Sequence, residues 1–113
     1  MDRETPRSPC FDQTDEEREH YYRNAAVGQQ AAVRYTQGRW LRYWITKIEG
    51  TKPEKGRVYV PANGTLDRGG SAFYMGSGKS CWSPKGQTSL VVPTQAVLDW
   101  VKQYPTGSYD FAT

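Results

Sequence analysis

The chain has 113 residues, a formal net charge of +3 and a mean hydropathy of −0.83. That length suits one domain, which at this size buries about 65% of the surface its unfolded chain exposes. No apolar run approaches the ~20 residues of a membrane-spanning helix, and the N-terminus lacks the basic-then-apolar order of a secretory signal, so a soluble cytoplasmic protein without membrane association is expected.

Met1 to Gln13 is polar, is broken by Pro6 and Pro9, and reads as a flexible acidic leader. Thr14-Asp15-Glu16-Glu17 matches a capping box, with Thr14 as N-cap and Glu17 reaching back from the third helical position. A helix of about ten residues should follow and end near Asn24. Its apolar content is thin, Tyr21 and Tyr22 followed by Ala25, Ala26 and Val27, so it must dock on the rest of the domain or fray.

Gln29 to Glu49 holds the densest aromatic and basic chemistry in the protein and reads as two strands hinged at Gln37-Gly38. In the first strand Ala31, Val33 and Tyr35 alternate with Ala32, Arg34 and Thr36. The second, Arg39 to Glu49, is half apolar on both faces: Trp40, Arg42, Trp44, Thr46 and Ile48 on one, Arg39, Leu41, Tyr43, Ile45 and Lys47 on the other. At ~3.3 Å per residue it spans roughly 36 Å, longer than an ordinary strand. Such a strand can bend and lend one face to each of two packed sheets. The alternative is a flat hairpin whose second face docks on a helix or a partner.

Gly50 to Gly56 reads as a polar loop. Arg57-Val58-Tyr59-Val60 is a third strand, stopped by Pro61, and Ala62 to Gly70 is another loop. Ser71 to Met75, Ser80 to Ser83 and Ser89 to Val92 are the remaining strand candidates, separated by turns at Gly76-Ser77-Gly78-Lys79 and Lys85-Gly86. Thr94 can cap a second helix running to Tyr104, with Val97, Leu98, Val101 and Tyr104 on one stripe, and Pro105 and Gly107 stop it. The expected architecture is α+β, mainly β with flanking helices: a small SH3-like barrel or rolled antiparallel sheet with one short N-terminal and one C-terminal helix. Residues 14–105 form the single globular domain, between the leader 1–13 and a flexible tail 106–113.

The chemistry-bearing motifs are few. Met75-Gly76-Ser77-Gly78-Lys79-Ser80 invites a phosphate-loop reading, but Phe73 stands where that pattern needs glycine, and Trp82 and Pro84 follow where it needs a helix. A turn whose amides and Lys79 touch a backbone phosphate is the reading that survives. His20 is the sole histidine and is expected at the surface. Cys10 and Cys81 lie far apart with no Cys or His neighbour, so free thiols are expected rather than zinc or a disulfide. No paired carboxylates, glycine-elbow serine or metal cluster stands out, so binding without catalysis, and without a cofactor, is the expected class.

Charge points to the partner. Residues 1–24 hold seven acidic and four basic side chains, a balance of −3, whereas residues 25–113 carry +6. Arg34, Tyr35, Arg39, Trp40, Arg42, Tyr43, Trp44 and Lys47 interleave cations with rings, as single-stranded nucleic acid requires: cations track phosphates while bases stack on aromatic faces. The candidate nucleic-acid-binding residues are therefore Arg34, Arg39, Arg42, Lys47 and Lys79 as phosphate contacts, with Trp40, Trp44 and Trp82 as stackers. The same rings can instead form core, since the chain is poor in Leu, Ile and Phe. The alternative partner is a protein, with the aromatic face docking a peptide or a subunit edge. The acidic leader can also fold back over the basic face as a competitor for an anionic ligand.

Val27-Gly28-Gln29-Gln30-Ala31-Ala32-Val33-Arg34-Tyr35, then Gly38-Arg39-Trp40-Leu41-Arg42-Tyr43-Trp44-Ile45-Thr46-Lys47-Ile48, resembles the opening hairpin of SH3-like barrels of the Tudor kind. The resemblance rests on a glycine-to-alanine entry, a turn, an aromatic residue and a second strand ending in isoleucine. It departs from that family in the long Asn63 to Gly70 loop and in having no evident acidic cage residue. It implies an aromatic pocket able to read methylated side chains by cation–π attraction, and equally the nucleic-acid contacts of other SH3-like barrels.

Overall fold

Thr14 starts the first helix as its sequence predicts: its hydroxyl accepts the Glu17 amide at 3.1 Å, and α1 runs over Asp15–Arg23. The computed structural model describes residues 8–10, 12–61, 71–81 and 88–109. Residues 1–7 and 11 of the expected leader 1–13, the Ala62–Gly70 loop, Trp82, the Lys85-Gly86 turn and the part of the expected tail beyond Tyr109 lie outside the described residues.

Two three-stranded antiparallel sheets follow. β1 (Gln30–Gln37) and β2 (Trp40–Lys47) pair in register from Gln30 opposite Lys47 to Gln37 opposite Trp40, which places the turn at Gly38-Arg39, one residue later than expected. β6 (Leu90–Val91) lies on the other side of β1, with Ala32 opposite Val91. The second sheet has the order β3 (Gly50–Lys52), β4 (Arg57–Val60) and β5 (Ser71–Tyr74). α2, Gln95–Gln103, is capped by Thr94, whose hydroxyl accepts the Val97 amide.

The chain passes from one sheet to the other after β2, which ends at Lys47 rather than at the expected Glu49. Ile48 still belongs to the first sheet, donating its amide to the Gln29 carbonyl and accepting the Gly28 amide, both at 2.8 Å. One residue later the Glu49 amide donates to the Tyr59 carbonyl of the second sheet at 2.8 Å. The half-apolar pattern on both faces has another use: Trp44 and Ile48 join the core shared with the second sheet, while Leu41, Tyr43 and Ile45 pack with α2, the helix docking that the alternative reading expected. Gly50 to Lys52 was expected to be loop and is strand; only Pro53–Lys55, a single 3₁₀ turn closed by Gly56 at φ +64°, reverses the chain.

The larger core lies between the sheets: Ala31 and Val33 of β1, Ile48, Val58 and Val60 of β4, Phe73, Met75, Leu90, and Tyr22 from α1. The second core lies between the first sheet and α2: Ala32, Leu41, Tyr43, Val91, Val97, Trp100 and Cys10. On α2 the buried residues are Val97 and Trp100, with Val101 and Tyr104 packed beside them. α1 docks through Tyr22, whose hydroxyl donates to the Val91 carbonyl and accepts the Ala32 amide. Those two groups belong to opposed residues of β1 and β6, so the phenol stands in the ladder between them.

Both ends of the described chain are held. Ser8 and Cys10 are buried against Tyr43, and Gln13 brackets Val92 with its side-chain amide, donating to the carbonyl at 2.9 Å and accepting the amide at 2.8 Å. Ser108, in the segment expected to be a tail, exchanges two 2.8 Å hydrogen bonds with Leu41 at the outer edge of β2. No helix among the described residues is long and apolar enough to cross a membrane.

Candidate functional site

The pleat of the first sheet divides the interleaved cations and rings. Opposed residues share a face, so Arg34 stands with Tyr43 on the α2 side, whereas Trp40, Arg42 and Trp44 stand with Tyr35 and Val33 on the side facing the second sheet. Trp44 is half-buried and packs on the larger core. Trp40 is half-buried beneath the C-terminal segment, with the Tyr109 ring edge-on at 4.5 Å. Gly107, at φ +100°, makes that cover possible: a Cβ there would lie 2.8 Å from the Trp40 ring and 2.6 Å from the Leu41 carbonyl.

The cations of this hairpin have equally separate surroundings. The Arg34 guanidinium donates to the Thr88 carbonyl at 3.0 Å and lies 3.9 Å from the Cys10 sulfur. Burial pushes the neighbouring Tyr43 phenol up from its ordinary pKa, and the Cys10 thiol beside it adds to the effect. Arg42 is half-buried, and its Nε has no acceptor among the described residues. Arg39 and Lys47 are exposed, one in the turn and one at the far end of β2. Trp82 lies outside the described residues. Among the described residues, the first sheet therefore sets Trp40, Arg42 and Trp44 on one half-buried face and Arg34 on the other, with Arg39 in the turn and Lys47 at the strand end.

The second sheet carries a further set of cations and rings. Lys52 is opposed to Arg57, and Arg57 to Tyr74, so the three form one cross-strand row. The row continues into the following turn, where the Tyr74 amide donates to the Lys79 carbonyl at 3.0 Å. Beside it runs a second row, Gly50, Tyr59 and Ala72, with the Cys81 amide donating to the Ala72 carbonyl at 2.9 Å. Val58, Val60 and Phe73, the alternate residues of the same strands, fill the larger core, so these rows occupy the outer face. Lys52 is exposed, and Arg57, Tyr59, Tyr74 and Lys79 are half-buried.

These side chains already interact. The Lys52 Nζ stands 5.9 Å from the Tyr59 ring centroid, within cation–π range. A hydrogen bond to Tyr59 holds Arg57 more firmly in its charged form than an ordinary guanidinium, and the nearby Cys81, Tyr59 and Tyr74 groups act in the same direction. The Arg57 Nε has no acceptor among the described residues.

The turn that carries Lys79 is clamped from behind. Arg18 of α1, only 5% exposed, donates to the Gly76 carbonyl at 2.6 Å and to Asp15 at 2.8 Å. Gly78, at φ +70°, presses on the Leu90 carbonyl, the Arg18 side chain and Thr88 so closely that a Cβ would overlap all three. The Gly76-Ser77-Gly78 motif therefore packs as a tight turn between α1 and β6.

Lys79 alone of this face was singled out from the sequence. Arg57 and Tyr59 had a signal available, since they alternate with Val58 and Val60. Lys52 had none, because Thr51-Lys52-Pro53-Glu54 carries loop composition and becomes strand only by pairing with Arg57 to Val58. Cys10 and Cys81 are free thiols. Among the described residues no group of three or more His, Cys, Asp and Glu side chains is placed to hold a metal ion. Comparison with protein families, with curated proteins and with solved structures finds no match to this chain.

Proposed function

We propose that the protein is a small, non-enzymatic module that binds single-stranded nucleic acid, and that it does so on the outer face of its second sheet. The observation that carries this reading is the juxtaposition of Lys52, Arg57 and Lys79 with Tyr59 and Tyr74 on one face. Cations there meet phosphates and rings meet bases, the combination that sequence-tolerant single-strand binders use. The +6 balance of residues 25–113 adds attraction at longer range. The likeness of the β1–β2 hairpin to SH3-like barrels of the Tudor kind belongs to the same proposal, with the binding surface moved from that hairpin to the neighbouring sheet.

Binding of an oligothymidylate, followed by fluorescence at several salt concentrations, tests the reading. Three phosphate contacts on a single strand predict a slope of log affinity against log salt of about −2. Lys52→Glu with Lys79→Glu should abolish most of that dependence, while Lys47→Glu on the first sheet should leave it nearly intact. A complex insensitive to salt, or one weakened equally by the Lys47 change, would move the ligand elsewhere.

A second reading, a protein-interaction module, has its own observation. Leu41 turns its amide and carbonyl to Ser108, so by alternation Tyr43 and Ile45 present theirs on the same outer edge of β2, and no described strand pairs with them. Tyr109, 64% exposed, and Trp40 flank that edge. A peptide adding as a further strand would use both features. Its binding would respond little to salt, which separates it from the first reading.

A further inference from the structure

We propose that the outer face of the second sheet takes two adjacent bases, one stacked on Tyr59 and one on Tyr74, with Arg57 between them; the inference rests on the nucleic-acid reading above. Tyr59 is opposed to Ala72 and Tyr74 to Arg57, so the two phenol rings are diagonal neighbours on adjacent strands. Diagonal partners on one face lie roughly 7–8 Å apart, about twice the ~3.4 Å rise of a stacked strand. That spacing suits an extended strand in which each base leaves its neighbour and lies on a ring of its own.

The surrounding groups fit this arrangement. Arg57 bonds one phenol and is opposed to the other, and its Nε donor is unmatched among the described residues. The terminal N–H groups of its guanidinium can donate to a phosphate or base oxygen lying between the rings. Lys52 covers the Tyr59 ring at 5.9 Å in the free protein. An arriving base takes that position, and the released ammonium, on its flexible stem, turns to the adjacent phosphate. Lys79, opposite Tyr74 at the other end of the row, holds the phosphate beyond the second base.

The test uses the full chain with an eight-residue oligothymidylate and with a strand of the same charge in which the bases are absent. Tyr59→Leu and Tyr74→Leu keep apolar bulk but remove the ring, and Tyr59→Phe and Tyr74→Phe keep the ring; thermal unfolding confirms that each variant is folded. Each leucine change should weaken oligothymidylate binding by roughly 5- to 150-fold, the phenylalanine changes by far less, and none should alter the weak binding of the baseless strand. A wild-type chain that binds the oligothymidylate in a salt-sensitive way, with both leucine variants binding as tightly, would overturn the two-base platform and leave the nucleic-acid reading standing. No binding of either strand at low salt would overturn both.

Discussion

The Tyr22 hydroxyl sits between the Ala32 amide and the Val91 carbonyl, so one side chain joins α1, β1 and β6. Tyr22→Phe leaves both backbone groups buried and unpaired unless the strands close up. The expected cost is about 1–3 kcal/mol, read as a lower urea midpoint with an unchanged slope. A loss under about 0.5 kcal/mol would mean that β1 and β6 pair directly once the phenol is gone. Gly78 is a second single-residue dependence, because its left-handed backbone and its contact with the Leu90 carbonyl both refuse a Cβ. Gly78→Ala should cost at least about 1–3 kcal/mol and loosen the turn that carries Lys79. A variant with wild-type stability would show that the turn is not clamped as described. His20 and Cys81 illustrate the other side of residue-level reading: neither gains a role from its identity alone.

At the scale of elements, the C-terminal segment completes the first sheet. Ser108 pairs with Leu41, and Tyr109 meets Trp40 edge-on, so a stretch with tail-like composition covers a large indole. Tyr109→Ala should cost about 0.5–1.5 kcal/mol and shift the Trp40 emission to longer wavelength. Trp40→Phe in the same background should remove that shift; if the shift persists, another of the four tryptophans reports the change. α1 shows the same dependence on its surroundings. Its cap and its Arg23–Glu19 and Arg18–Asp15 pairs are local, but nine residues are too few to stand alone. Packing of Tyr22 and Arg18 supplies the remainder.

At the scale of the whole molecule, the two cores each enclose a phenol, Tyr22 in one and Tyr43 in the other, and burial is the leading cause that pushes both pKa values up. A raised value in the folded state means that the native protein keeps these protons while the unfolded chain loses them above its ordinary value near 10. The contribution of each phenol to stability is therefore complete below pH 10 and declines as pH rises beyond it, by about 1.4 kcal/mol per unit for each tyrosine. Thermal midpoints should fall steeply between pH 10 and 11.5, and less steeply for Tyr43→Phe. Parallel curves for the variant and the wild type would place the alkaline sensitivity in other groups.

The local chemistry of the chain was legible before its fold. Thr14 and Thr94 announce their helices because a cap is a contact within four residues, and the alternation of Ala31 to Tyr35 announces a strand because the pleat has a period of two. The apolar character of both faces of Trp40 to Ile48 also foretold a strand packed on two sides, which the second sheet and α2 supply. Which rings and cations share a surface was legible within one strand, where Trp40, Arg42 and Trp44 alternate onto one face, but not between strands. Arg34 and Trp40 are near in sequence yet lie on opposite faces, whereas Lys52 and Arg57 meet the distant Tyr74 and Lys79 only through pairing of β4 with β5. Periodicity assigns a side chain to one of two faces; only the register of distant strands, settled by the cores they bury together, decides which side chains stand side by side on a face.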